Sequence, residues 1–285
     1  MTFSSNMSNL TNNTGELDHY CTEMPVGPLV WCVFCVLCAC VSLPVSVWLL
    51  WILTHRQRGG LSNDVYMLNL TVMDLIFNIS IIPQVPNLFL WRADLLSELT
   101  DVFYQFNLIG RPLLMVCICV DCYMAVLHPV SYMKSKHGRY RLAICTLVWA
   151  FTLMSGSVLV FRGELVDWSF RLIQGVLMFI TITFCDVSIL YALRKTDPSG
   201  RNDVHPQKQK ALQTVTNNLI WTIVSFVLPM VVHGFFPMMP LSPQAIWCNI
   251  SYPLSIAPML GSAIMPLLYL QNQGYLKGFR RCGWV

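Results

Sequence analysis

The chain has 285 residues, of which 55% are hydrophobic and only 11% are charged, with a formal net charge of +4. An average soluble domain is about 25% charged. The composition therefore excludes an ordinary soluble globular protein and indicates that lipid is the solvent for much of the chain. The twelve cysteines do not indicate a disulfide scaffold, because most lie inside apolar runs, where they serve as small apolar residues.

Residues 1–26 form a polar tail that carries three N-glycosylation sequons, beginning at Asn6, Asn9 and Asn12. One sequon is weak evidence, since the pattern is common by chance. Three sequons before the first apolar run favour a glycosylated, extracellular amino terminus. We expect no cleavable signal peptide, because no basic segment precedes that run.

Seven apolar runs follow the tail, each long enough to cross the hydrocarbon layer of about 30 Å as a helix. They are predicted at 28–53, 64–90, 97–125, 140–161, 168–194, 210–236 and 246–270. No internal repeat is visible, which disfavours a duplicated transporter. The sequence predicts an all-α membrane protein, with residues 27–271 forming a seven-transmembrane helix bundle that is multi-pass in the plasma membrane.

The basic residues predict the same topology as the sequons. If the amino terminus is outside, 14 of the 18 Lys and Arg residues fall in cytoplasmic segments. These residues are Arg56, Arg58, Lys134, Lys136, Arg139, Arg141, Arg194, Lys195, Arg201, Lys208, Lys210, Lys277, Arg280 and Arg281. Cytoplasmic loops of membrane proteins carry an excess of these residues, so two independent signals agree on the orientation.

Residues 272–285 follow the seventh run and alternate apolar residues with three cations. This pattern is typical of a short amphipathic helix that lies on the inner leaflet, with its cations near lipid headgroups. Cys282 lies beside this basic segment, so it is a palmitoylation candidate or, alternatively, a free thiol.

Several local patterns follow one another in a fixed order. The second run carries an L-x-x-x-D pattern that ends at Asp74, and the fourth run carries Trp149. The sixth run contains Pro229, and the seventh contains Pro266 and Tyr269 as P-x-x-Y. In order and spacing, these patterns resemble the rhodopsin-like class of G-protein-coupled receptors over nearly the whole chain, most closely its purinergic and protease-activated branch. The resemblance implies a receptor rather than an enzyme.

Other positions depart from the family pattern. Asp121 and Tyr123 stand at the ends of the D-R-Y motif, but Cys122 replaces its arginine, and Asp186 replaces the tyrosine that pairs with that arginine. Further departures at family positions are Ser46, Ser97, Val227 and Met265. Because both halves of the family's active-state contact have changed, the resemblance implies weak activation of a heterotrimeric G protein, which remains a candidate partner.

Two ionisable residues fall inside predicted spans. Asp74 stands where the family helps to bind a sodium ion, and Arg111 stands at the position in the third span that faces it. An unpaired charge in the membrane centre costs about 2.5–3.5 kcal/mol, and a carboxylate facing a guanidinium can accept two parallel hydrogen bonds. We expect the two residues to pair and to exclude sodium. The alternative is that Arg111 meets backbone carbonyls and water.

Four residues are candidates for an outer ligand site: Tyr104, Gln105, His233 and Tyr252. Tyr104 stands where amine receptors carry an aspartate, so the resemblance disfavours an amine and leaves an unidentified extracellular or lipid-borne ligand. The alternative is that these side chains pack between spans or anchor them at the interface.

Two further pairings are expected at the membrane surfaces. Asp121 can accept hydrogen bonds from the inner loop, with Tyr132 as one donor, although without the neighbouring arginine its usual role in the motif is lost. Cys21 and Cys248 are the extracellular cysteines, and related branches imply a disulfide between them. The alternative is that both remain free thiols.

Three functional hypotheses follow. The first is a rhodopsin-like receptor that passes ligand binding to a cytoplasmic partner. The second is a protein of the same fold that binds a ligand or partner without activating a G protein. The third, a small transporter or channel, rests only on Asp74 and Arg111. No enzyme motif, cofactor, metal site or nucleic-acid partner is predicted.

Overall fold

The computed structural model describes residues 26–58, 64–91, 93–128, 130, 132, 138–162, 168–195, 216–217, 219–235 and 242–275. The described part of the chain is helical and contains no strand. The sequons, Cys21, Cys282 and the predicted amphipathic segment beyond residue 275 lie outside these residues.

The helices follow the predicted spans closely. The first span is α1 (Val26–Arg58), the second is α2 (Val65–Pro86), and the third joins α3 (Asp94–Gln105) to α4 (Arg111–Leu127). The fourth span is α5 (Gly138–Arg162) and the fifth is α6 (Trp168–Lys195). The sixth span ends in α7 (Leu228–Phe235). The seventh is built from α8 (Pro243–Ile246), α9 (Tyr252–Leu254) and α10 (Ile256–Asn272).

Six of these helical segments are long and apolar enough to cross a membrane. The predicted sixth span is the exception, because part of it lies outside the described residues. The largest difference from the predicted bounds is at the end of α1, which continues five residues beyond position 53 to Arg58. Those residues are polar, and hydropathy alone therefore ended the span too early.

Within the described ranges, four π-helical segments interrupt the spans: Asn87–Trp91, Phe106–Gly110, Ile223–Val227 and Trp247–Ser251. The first follows Pro86 directly, and each of the other three ends two residues before a proline. A proline ring has no N–H and clashes with the carbonyl one turn earlier, so a widened turn relieves the contact without ending the helix.

Apolar clusters join the spans at two levels. An outer cluster between the first, second and seventh spans contains Trp31, Phe77, Ile81, Ile256 and Met259. A second cluster joins the first and seventh spans at the opposite end of the bundle, around Leu49, Leu53 and Leu270. Many large apolar side chains on the outside remain exposed, including Leu37, Trp51 and Leu147. This outward apolar surface is typical of helices that contact lipid.

Candidate functional site

A buried ion pair lies in the centre of the bundle. Arg111 Nη1 donates to Asp74 Oδ1 at 2.8 Å. The two side chains are only 2% and 3% exposed. The two residues are thus joined by one hydrogen bond rather than by two parallel ones. The second guanidinium nitrogen, Nη2, instead donates to the Gly261 carbonyl at 2.6 Å. Arg111 therefore joins the second, third and seventh spans.

The local backbone explains why an arginine fits here. Arg111 follows the π-helical turn, and its own amide donates to the Phe106 carbonyl that closes this turn. At Gly110, a Cβ would come within 2.8 Å of Met73 Sδ. At Gly261, a Cβ would lie 3.3 Å from Arg111 Cζ. Gly110 thus permits the close approach of the second and fourth spans to the third, and Gly261 leaves room for the guanidinium beside the seventh span.

A short hydrogen-bond network extends from this pair toward the first span. Asn78 Nδ2 donates to the Asp74 carbonyl at 2.6 Å and to the Ser42 hydroxyl at 2.9 Å. Ser42 in turn donates to the Ser262 carbonyl at 3.1 Å. All of these residues are buried. The polar interior therefore fixes the first, second, third and seventh spans relative to one another.

The electrostatic consequence concerns the carboxylate of Asp74. Its charge is already balanced by a guanidinium held by the protein itself, in a region where separated charges are unfavourable. The position that the family uses to help bind sodium thus contains an internal cation. Asp74 and Arg111 also compensate each other, which leaves the transporter hypothesis without the uncompensated charges that motivated it.

The outer candidate residues separate into packing contacts and a buried amide. The Tyr104 ring lies 5.9 Å from Phe77, and the Tyr252 ring lies 5.8 Å from Trp31. Both tyrosines pack against the outer apolar cluster. Gln105 is buried at 3% exposure. The His233 side chain lies outside the described part of the structure.

The two altered positions of the family's active-state contact, Cys122 and Asp186, lie near one another between the third and fifth spans, and we call them the switch positions. Asp186 is fully buried and lies against the Cys119 thiol, and Cys122 is half-buried one helical turn later. Neither oxygen of Asp186 has a nitrogen or oxygen donor among the described residues. Tyr123 packs on Phe184, with ring centroids 6.0 Å apart. A neutral thiol and a buried carboxyl thus occupy positions where the family has an arginine and a tyrosine.

Tyr269 of the P-x-x-Y pattern contacts the end of the first span and the residue that precedes α2. Its hydroxyl donates to Asp64 Oδ2 at 3.1 Å and accepts from Arg56 Nη1 at 3.5 Å. Arg56 and Asp64 also approach each other to 3.6 Å, with side chains 33% and 31% exposed. Pro266, one turn earlier, is buried in α10, and Pro229 is the second residue of α7. The carboxyl-terminal end of the seventh span is therefore joined to the first two spans.

Asp121 accepts the expected hydrogen bond from Tyr132 and has a second, unexpected partner in Arg141. The carboxylate has a strong partner despite the loss of the neighbouring arginine, because Arg141 Nη2 lies 2.8 and 2.9 Å from its two oxygens. The Tyr132 hydroxyl donates to Asp121 Oδ2 at 3.4 Å, as expected from the sequence. Burial raises the pKa of the Tyr132 phenol above its ordinary value. Arg141 is not merely a loop cation, since it is buried at 3% exposure.

Cys248 is disulfide-bonded and buried at 1% exposure. The other nine cysteines in the described part of the chain are free. The two remaining cysteines, Cys21 and Cys282, lie outside the described residues. The backbone of the first span passes very close to this site, because a Cβ at Gly27 would collide with the Cys248 carbonyl oxygen.

Sequence reasoning missed the roles of Gly261 and Arg141. Gly261 is an ordinary glycine in an apolar run, and only its contact with Arg111 shows why a side chain there is unfavourable. Arg141 was one cation among several near the second inner loop. The one sequence signal for burial of Arg141 is its position inside the start of the fourth predicted span, whereas the other cations precede that span.

Comparison with known proteins agrees with this architecture. The model of the seven-transmembrane receptor family, rhodopsin family, matches residues 45–236. A purinoceptor of Gallus gallus is 30% identical over 122 residues, which are 41% of this chain and 34% of the relative. The S-geranylgeranyl-glutathione receptor of Homo sapiens is 32% identical over 128 residues, or 43% and 35% of the two chains.

A lysophosphatidic acid receptor is also similar. Lysophosphatidic acid receptor 5 of Bos taurus is 29% identical over 133 residues, which are 46% of this chain and 36% of the relative. The matched regions thus span about a third of the length of these relatives. The family match covers more than half of the chain and includes Asp74, Arg111 and the altered switch positions. The chain therefore belongs to the rhodopsin family of seven-transmembrane receptors.

Proposed function

We propose that this protein is a receptor that passes the binding of an extracellular or lipid-borne ligand to a cytoplasmic partner, with at most weak nucleotide exchange on heterotrimeric G proteins. The observation that carries the proposal is the altered pair of switch positions. Cys122 supplies no cation, and Asp186 supplies a buried carboxyl in place of a phenol. The carboxylate of Asp121 already forms an ion pair with Arg141.

Nucleotide exchange on a panel of G proteins tests this proposal directly. The receptor is reconstituted in lipid nanodiscs, and basal exchange is compared with that of the double variant Cys122→Arg with Asp186→Tyr. We expect the unmodified protein to give little exchange and the double variant to give more. Robust exchange by the unmodified protein would contradict the proposal.

The single variant Cys122→Arg is the matched control. Position 122 lies one helical turn after Cys119, which contacts Asp186, so a new guanidinium there can form a buried ion pair with that carboxylate. Such a pair would hold the arginine away from a partner. We therefore expect the single variant to gain less exchange than the double variant.

A second candidate function is binding without any G-protein activation. The same altered switch positions favour this function. The nucleotide exchange of the double variant Cys122→Arg with Asp186→Tyr distinguishes the two candidates. If the double variant also fails to promote exchange while still binding its ligand, the protein acts through ligand or partner binding alone. If exchange appears with both switch residues restored, the receptor framework is competent and only the switch is altered.

The ligand is proposed to enter from the outside near Tyr104 and Tyr252, with Gln105 and His233 as further candidate contacts. Two of these residues adjoin the outer apolar cluster, which supports a ligand with apolar or aromatic groups. A binding screen should begin with purines, lysophosphatidic acid and S-geranylgeranyl-glutathione, the ligand classes in the names of the relatives. The site is supported if a ligand found in the screen no longer binds Tyr104→Ala and Tyr252→Ala but still binds a variant of the exposed face such as Leu147→Ala.

The proposed topology has the amino terminus outside the plasma membrane, with glycans on Asn6, Asn9 or Asn12. Cys21 is proposed as the disulfide partner of Cys248, because Cys282 would lie on the opposite side of the membrane. Glycosidase treatment should shift the electrophoretic mobility of the protein. Cys21→Ser should free the thiol of Cys248 for alkylation, whereas Cys282→Ser should not.

A further inference from the structure

Three side chains from different parts of the chain meet at the cytoplasmic end of the bundle. Arg141 Nη2 contacts both oxygens of Asp121 and donates to the Tyr132 hydroxyl at 2.6 Å. The guanidinium carbon also lies 5.4 Å from the centre of the Tyr132 ring. We call Asp121, Tyr132 and Arg141 the inner triad. It joins the end of the third span, the second inner loop and the start of the fourth span.

The burial of the triad distinguishes it from an ordinary surface ion pair. The Arg141 side chain is 4% exposed and that of Asp121 is 27% exposed. A largely buried guanidinium needs a carboxylate, because removal of one partner leaves the other charge without compensation. The tyrosine adds a charge-assisted hydrogen bond and a cation–π contact. By contrast, Arg139 is exposed two residues earlier in the same helix.

The position of the cation also matters. In the D-R-Y pattern an arginine would follow Asp121 on the third span, and here that residue is Cys122. The compensating cation comes instead from the fourth span, which packs mainly on the second and third spans. Arg141 at the start of the fourth span therefore contacts Asp121 on the face of the third span that adjoins the second inner loop. This contact does not depend on how the fifth and sixth spans are arranged.

We propose that Arg141 is a positioning residue that replaces the missing arginine as the partner of Asp121 and thereby fastens the second inner loop to the third span. This loop edge is then a fixed part of the cytoplasmic face. It is separate from the altered switch at Cys122 and Asp186. The inference does not rest on the proposed function, because it concerns the order of the loop and not coupling to a partner.

Hydrogen exchange of the purified receptor in lipid nanodiscs provides the test. Amide exchange at the described residues around the triad, 121–128, 132 and 138–145, is compared in the unmodified protein, Arg141→Gln and Arg139→Gln. The two variants lose the same charge two residues apart. We expect about tenfold faster exchange in Arg141→Gln, because local opening becomes easier, and no change in Arg139→Gln. Equal exchange in the two variants would overturn the proposal.

Two rescue variants distinguish charge compensation from simple packing. Adding Cys122→Arg together with Asp186→Tyr to Arg141→Gln places a guanidinium beside Asp121 without the competing carboxylate at position 186, and amide exchange around the triad should return toward that of the unmodified protein. Exchanging the charges, with Asp121→Arg and Arg141→Asp, should also restore protection. If neither variant is more protected than Arg141→Gln, the role of Arg141 is packing and the proposal is wrong.

Should Arg141→Gln fail to fold, the charge-exchanged variant and Tyr132→Phe still decide the question. A folded charge-exchanged receptor with a protected loop supports the triad, whereas a receptor that fails in the same way as Arg141→Gln contradicts it. Tyr132→Phe keeps the ring over the guanidinium and removes only the hydroxyl. It should therefore give a smaller increase in exchange, confined to the same residues, and no increase would count against the triad.

Discussion

Two ion pairs of the same chemistry occupy opposite environments in this receptor. Arg111 and Asp74 are 2.8 Å apart in the membrane centre, with side chains 2% and 3% exposed. Arg56 and Asp64 are 3.6 Å apart at one end of the bundle, with side chains 33% and 31% exposed. The first pair is closed off from solvent, and the second is screened by water and salt.

The difference shows that burial, rather than residue type, decides how much an ion pair matters. Loss of one member of the buried pair leaves a charge with neither water nor a partner, whereas loss of one member of the exposed pair leaves a charge that water solvates. The buried pair is also held by the Gly261 carbonyl. Three experiments break or sharpen this contrast, in order of decreasing expected effect.

The largest effect is expected from neutralising one member of the buried pair. Asp74→Asn or Arg111→Leu should each lower the free energy of unfolding by about 3–5 kcal/mol, because the remaining charge stays buried. The double variant should recover much of this loss. Thermal unfolding of all four proteins in detergent gives the coupling energy of the double-mutant cycle. Strictly additive losses would show that the pair does not act as a unit.

Sodium provides an independent control on the same pair. The unmodified receptor should melt at the same temperature in sodium and in potassium salts of equal ionic strength, because Arg111 already supplies the cation beside Asp74. Arg111→Leu exposes the carboxylate to an added ion and should gain sodium-dependent stabilisation. A rise in melting temperature specific to sodium in the unmodified receptor would contradict this account.

An intermediate effect is expected from Gly261→Ala. Replacing a glycine in a helix by alanine normally stabilises the helix by about 1 kcal/mol. Here the added Cβ would lie 3.3 Å from Arg111 Cζ and 3.4 Å from Nη2, so the guanidinium must shift. We expect a net loss of about 1–3 kcal/mol from overpacking, measured as a lower melting temperature. A gain in stability would indicate that Arg111 moves aside easily.

The smallest effect is expected at the exposed pair. Arg56→Gln and Asp64→Asn should each change the free energy of unfolding by about 1 kcal/mol or less, and the change should shrink at high salt. Unfolding in low and high salt checks both points. A loss as large as that of Asp74→Asn would mean that the contact with Tyr269 makes this region as critical as the membrane centre.

The fold was predictable because its signals are local. A run of about twenty apolar residues indicates a membrane helix wherever it stands, and the predicted second and fifth spans differ from α2 and α6 by four residues or fewer. The pairing of Asp74 with Arg111 was also accessible, because two charges in lipid have few ways to be compensated. The exact hydrogen bonds of the pair were not predictable, since the partner of Arg111 Nη2 depends on how closely Gly261 of the seventh span packs against the guanidinium.

The inner triad shows the limit of the sequence most clearly. Asp121 and Arg141 are 20 residues apart, and a loop separates the helices that carry them. Several cations occur in that loop, and hydropathy cannot distinguish a buried arginine from an exposed one. Only the packing of the fourth span against the third selects Arg141 and leaves Arg139 in solvent.

The sequence by itself determined that the chain lies in a lipid bilayer, how many spans it has and to which family it belongs. The length of apolar runs and the order of motifs are properties of consecutive residues. The tertiary structure alone decided which polar groups meet: the guanidinium of Arg111 with Gly261, Tyr269 with Asp64, and Asp121 with Arg141. Hydrogen bonds and ion pairs act over a few ångströms. They therefore depend on which helix faces which, and a linear pattern does not specify that arrangement.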